Sequence, residues 1–237
     1  MANSQARDGR QSLAFIAGDK VTASTIAVGD FIVVTAKGTS SDLKDYPLNK
    51  PFFAMKAFTV GTGDTVYKMP LYFLGQATGK SVSHSKNTTD VTIDYDAATN
   101  NVTDGIVSTS GSISGSFITE DIAGDSGINL LKSRFRTLMQ IGDDGAVTVQ
   151  EANTDEKDIL VIGWNLRNAK AGDLLEVDVI PALITGLSIG GEYGSSQSFD
   201  IDFTGNATDE NNFEGSTLQI EATDKFLQTI SLARPAV

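Results

Sequence analysis

The chain has 237 residues, 40% of them apolar, with 23 glycines, 5 prolines and no cysteine, so it can bury a sizeable core in one domain but can hold neither a disulfide framework nor a thiolate metal site. Thirty acidic residues against eighteen basic ones give a net charge of −12, which repels phosphate backbones and anionic membrane surfaces. Specific nucleic-acid binding is therefore disfavoured, whereas passage of a nucleic acid that must not stick is compatible with this charge.

Residues 1–12 are polar, lack the apolar region of a secretory signal, and are expected to form a flexible N-terminal arm ahead of a single domain over 13–237. No apolar run approaches bilayer-spanning length, so no membrane insertion is expected. Alternation and β-branched content predict strands near 13–17 and 30–36, followed by a long polar loop, GTSSDLKDYPLNKP (38–51). Loops of that length are commonly functional, and Tyr46 and Leu48 are the residues in it suited to reach a neighbour. Strands near 52–60 and 65–74 come next.

GQATGKS (75–81) has the composition of a phosphate-binding loop, but only three residues separate Gly75 from Gly79 where the motif needs four. The residues after it, SVSHSKNTTDVTIDY, favour turn and strand over the helix such a site requires. A turn feeding strands near 81–86 and 89–95 is expected instead. The acceptor sequons beginning at Asn87, Asn101 and Asn206 read as turn chemistry.

After a strand near 112–119, GDSGINLLKSRFRTLMQIG (124–142) places Ile128, Leu131, Phe135, Leu138 and Met139 at helical spacing, which predicts one helix over about 126–141. Asp125 or Ser126 would cap it and Gly142 would end it. GDSG also surrounds the nucleophile of chymotrypsin-like proteases. The lone histidine, His84, stands too close before Ser126 to fit the intervening strands of that double barrel, so the cap is the cheaper explanation. His84 itself suits a surface or subunit contact.

Further strands are expected near 146–151, 158–166, 174–189, 196–204 and 213–221. DILVIGWNL (158–166) is apolar on both faces, as a strand buried between layers would be. DIDFTGNATDEN (200–211) has Asp200, Asp202 and Gly205 at EF-hand spacing, yet Thr204 and Asn211 fall where ligands belong, so a turn rich in acceptors is the main reading and a Ca²⁺ loop the alternative. No metal or cofactor and no catalytic residue is assigned. A two-carboxylate glycosidase stays open, because its acids need only meet in space.

Three strands repeat one pattern, an apolar side opposite a carboxylate side. DVTIDYD (90–96) carries Asp90 and Asp94, LEVDVIP (175–181) carries Glu176 and Asp178, and SFDIDF (198–203) carries Asp200 and Asp202. A solvated outer face explains this simply. Neighbouring carboxylates cost stability, however, and faces of one sign that curve around a channel would keep a polyanion off the wall.

Two blocks covering about a third of the chain, GKSVSHSKNTTDVTIDYDAATNNVTDGIVSTSGSISGSFITED (79–121) and AGDLLEVDVIPALITGLSIGGEYGSSQSFDIDFTGNA (171–207), resemble the tail tube proteins, or major tail proteins, of long-tailed bacteriophages. The resemblance implies a mainly β chain, a two-sheet β-sandwich with one flanking α-helix. It also implies rings, usually of six subunits, that stack into a tube, with inner sheets joined into a β-barrel around a negative lumen. Asp90, Asp94, Glu176, Asp178, Asp200 and Asp202 are the lumen candidates. Tyr46 and Leu48, with the arm, are candidates for contacts between rings. The implied partners are the protein itself, tape-measure and tail-tip or terminator proteins, and viral DNA passing non-specifically. The implied place is the virion tail, assembled in the host bacterial cytoplasm. A virion-decorating or fibre-type β-sandwich that binds a capsid or cell surface is the alternative.

Overall fold

The computed structural model describes residues 12–38, 43–91, 100–116, 127–153, 157–164, 169–191, 198–205, 213 and 215–232. The elements in chain order are β1 (Leu13–Ala17), β2 (Val21–Thr22), β3 (Thr25–Ile26), β4 (Phe31–Ala36), β5 (Phe52–Phe53), β6 (Phe58–Thr59), β7 (Thr65–Lys68), β8 (Leu71–Val91), β9 (Asn100–Ser116), α1 (Gly127–Ser133), β10 (Leu138–Ile141), β11 (Val147–Gln150), β12 (Lys157–Gly163), β13 (Leu174–Gly190), β14 (Ser198–Gly205), β15 (Ser216–Glu221) and α2 (Asp224–Leu232). The chain is mainly β, in antiparallel layers, as its alternation and turn-rich composition predict.

The largest sheet runs β12-β1-β8-β9-β14-β13-β15, and β12 also pairs with β13. That extra pairing closes six strands into a circuit, with β15 appended to β13. Inside the circuit Ala14, Ile16, Leu160, Ile162, Ile184 and Phe203 pack together, and Leu131 of α1 seals them. Outside it, Phe15, Val161, Val177 and Val179 meet a second layer built on the sheet β2-β7-β4-β5 and on α2. Strands β1 and β12 are thus buried on both faces, which is why they read as uninterrupted apolar runs.

Three expectations change. GQATGKS is no turn, because β8 runs unbroken through it with a bulge between Ala77 and Gly79. The helix after GDSG ends at Ser133, and Leu138–Ile141 pairs with β11 instead. Local β-branched pairing with Val147 and Val149 overrides the helical spacing there. A second helix, α2, follows β15. Thr223 Oγ1 accepts from Phe226 N–H at 3.2 Å as its cap, and Phe226 meets Phe53 edge-on at 5.3 Å.

The long loop packs on its own chain over its described part. Leu43 is buried, Tyr46 stacks on Phe52 at 5.2 Å, and Leu48 bridges Val34 through the backbone while its side chain stays exposed. Residues 1–11 of the expected arm lie outside the described residues.

Candidate functional site

Strands β8, β9, β14 and β13 lie side by side, and their registers align into rows across the sheet. One row is Ser81, Ser112, Asp202 and Gly186, and the next is Gly79, Ser114, Asp200 and Ser188. The intervening rows, Lys80, Ile113, Ile201, Leu187 and then Val82, Gly111, Phe203, Ile184, point the other way. Residues paired across antiparallel strands share a face, so this wall has two characters. Its inner face is apolar and belongs to the core. Its outer face is serine and aspartate, with Asp200 and Asp202 exposed and no second layer over them among the described residues.

Small hydroxyls make this face smooth. Ser81 and Ser112 hydroxyls lie 3.1 Å apart, and those of Ser85 and Ser108 lie 2.6 Å apart, so cross-strand bonds satisfy them locally. Among the described residues of the two aspartate rows there is no basic side chain to neutralise the carboxylates. Gly186 gives Asp202 its room, since a Cβ there would stand 2.9 Å from the Asp202 carboxylate.

The acidic residues singled out in the sequence do not all meet. Glu176 and Asp178 stand on the face opposite Asp200 and Asp202, on the side of Ile180 and Ala182. The reason is one extra residue. By position alone Asp178 would share the face of Gly186 and Ser188, but the register shift between Ile184 and Gly186 inserts Thr185 and reverses the alternation. Asp178 is engaged structurally, accepting from Trp164 Nε1 at 2.6 Å and from Thr217 Oγ1 at 2.6 Å. The backbone of Asp90 pairs with Asn101 near the end of β8, its side chain lies outside the description, and Asp94 lies outside the described residues.

The serine rows are the part of this face that carboxylate patterning misses. Their signal is the Ser-x-Ser-x-Ser run at Ser81–Ser85, mirrored at Ser108–Ser116. Asp200 and Asp202 are in a strand and not in a loop, so the EF-hand spacing reflects alternation, and among the described residues no three His, Asp or Glu cluster as metal ligands. No helix among those residues is long and apolar enough to cross a membrane.

Among the described residues the wall also ends in two unpaired edges. Beyond Gln76, β8 pairs only with β9, and beyond Leu183, β13 pairs only with β14. Because the four strands alternate in direction, these edges run in opposite senses.

On the core side of the same wall sits Lys80. Its Nζ is buried without a hydrogen-bond partner and lies 5.0 Å from the centre of the Trp164 ring. Burial lowers its pKa from 10.5 to about 8. At the other end of β12, Arg134 at the end of α1 donates to both carboxylate oxygens of Asp158, at 2.7 Å from Nη2 and 3.0 Å from Nε, and both side chains are buried. Burial pushes the Asp158 pKa up, and the Arg134 contacts oppose that shift.

No protein-family model and no curated protein matches the chain. Among solved structures it is similar to a chain of the virion of a native gene transfer agent particle, at 16% identity over 63% of this chain and 88% of that one, with a TM-score of 0.35. It is also similar to a chain of the six-fold symmetrised baseplate of the anti-feeding prophage, at 10% identity over 83% of this chain and 97% of that one, again at 0.35. At that TM-score neither likeness bears on role.

Proposed function

We propose that this chain is a structural protein that polymerises as stacked rings into the hollow tail tube of a bacteriophage, with an acidic lumen that conducts viral DNA. The observation that carries the reading is the β8-β9-β14-β13 wall, open on a serine and aspartate face and unpaired at both edges. Identical copies set side by side about an axis bring the β8 edge of one against the β13 edge of the next. Those edges run in opposite directions, so the joint is antiparallel and the sheet continues from copy to copy. Closure removes the exposed edges that would otherwise template aggregation.

In such a ring one face of the wall lines the channel. The apolar face is already filled by the chain's own core, which leaves the face of Asp200 and Asp202. Serines offer no bulk, and unpaired carboxylates repel phosphates, so DNA would slide without a binding site. Glu176 and Asp178 fall outside this lining, while Asp90 and Asp94 remain proposed members on the strength of the sequence pattern. Leu48, exposed on the long loop with Tyr46 as its anchor, is proposed to meet the adjacent ring. Six subunits per ring, the tape-measure and terminator partners, and assembly in the bacterial cytoplasm come with the family resemblance. Nothing in this role requires catalysis.

Negative-stain electron microscopy of the purified protein at rising concentration tests the proposal. Hollow rings or striated tubes are expected. Uniform small particles without a central hole at every concentration would favour a decorating sandwich instead.

A further inference from the structure

Strands β10 and β11 form a two-stranded hairpin that belongs to no larger sheet. Its register sets Met139 opposite Val149 and Ile141 opposite Val147, so these four side chains share one face. That face is bare, with Met139 71% and Ile141 72% exposed. Phe135, at the hairpin's foot, is also exposed. A contiguous apolar face of this kind on an isolated hairpin marks an interaction site, since single exposed apolar residues are ordinary but clustered ones are not.

The hairpin is firmly held at its base and tip. Arg134 ties its entry to Asp158, and Asn153 N–H donates to the Ser133 carbonyl at 3.0 Å where the chain returns. The tip is closed by Gly145 at φ 79° and by Ala146 N–H donating to Asp144 Oδ1 at 2.9 Å.

We infer that this hairpin is the docking element by which one copy of the chain grips the next, on the side of the wall away from the serine face. The inference rests on the ring reading above. Helix α1 starts where Gly127 lies against Leu74 and Ile16 and ends at Arg134 on Asp158, whose strand partner is Ala182 of β13, so the hairpin that follows leaves from beside the start of the unpaired edge of β13. There, near the unpaired edge of β13, Ile189 is 39% exposed. A neighbour that brings its β8 edge to this stretch of β13 comes alongside the hairpin and Ile189. The edge joint alone is short, limited by residues 184–190, whereas a stable interface needs about 800 Å² from each partner. The hairpin supplies apolar area that the edge lacks. Asp143, Asp144 and Glu151 around it exclude a nucleic acid or an anionic bilayer as the occupant.

Ile141→Asp and Val147→Asp, compared with Thr148→Asp on the hairpin's other face, test this by sedimentation velocity, electron microscopy and thermal melting. The first two should melt as wild type does, because the sites are exposed, while requiring at least about tenfold more protein to assemble, as charging a buried apolar contact does. Thr148→Asp should assemble normally. Normal assembly of Ile141→Asp and Val147→Asp alongside wild-type rings would overturn the hairpin inference alone, as would equal impairment by Thr148→Asp. A wild-type protein that stays monomeric at every concentration would overturn the ring reading and the inference with it.

Discussion

Two buried charges carry the clearest consequences for single substitutions. Arg134 and Asp158 are paired in the core between α1 and β12, and removing the cation strands a buried carboxylate. Arg134→Ala should cost about 3–5 kcal/mol in a denaturant melt, much more than an exposed pair would. Lys80 is the opposite case, a buried ammonium that lies over the Trp164 ring and has no hydrogen-bond partner among the described residues. Its folded pKa of about 8 lies below the unfolded 10.5, so between those values the unfolded chain binds more protons and stability rises with pH. Melts from pH 7 to pH 11 should show that rise before alkaline denaturation intervenes, and Lys80→Met should flatten it and stabilise the protein at neutral pH. Neither charge was legible in the sequence, because Lys80 sits in a serine-rich strand and Arg134 lies off the apolar stripe of its helix. Their roles come from contacts across 24 residues for Arg134 and Asp158, and across two separate elements for Lys80 and Trp164.

At the scale of elements, the sequence reads well where alternation is local. Strands β1, β12, β13 and β14 follow from apolar runs and period-two patterns, and β14 places Asp200 and Asp202 on the exposed side as its alternation requires. It reads poorly where one residue or a tertiary contact decides. Thr185 reverses the face of β13, so strands with the same carboxylate pattern present it on opposite sides of the wall. The pairing of β10 with β11 ends a helix whose periodicity would continue. Inside the wall, Phe203 is buried among Gly111, Ile184 and Ile201, and Phe203→Ala should cost about 3–5 kcal/mol by chemical denaturation. Asp200→Asn with Asp202→Asn should leave the melting temperature unchanged or slightly raised, since like charges two apart on one face of a strand repel and no cation among the described residues of their rows balances them.

The whole molecule is a closed circuit of strands with one wall extended past its closure. The second layer, α2 and the long loop bury the far side of the circuit, and α1 seals its interior. Among the described residues the serine and aspartate face, the β10–β11 hairpin and the two unpaired edges remain open, and the proposed ring uses each once: the face for the channel, the edges for the sheet, the hairpin for the grip. The central claim is that the β8 and β13 edges join neighbouring copies. Amide hydrogen exchange of the concentrated, assembled protein against the dilute monomer reads this directly, because unpaired edge amides exchange fast until a strand covers them. New protection is expected at alternate amides in residues 77–91 and 184–190, with β1 and β12 unchanged. Assembled particles in which both edges exchange as fast as in the monomer would contradict it.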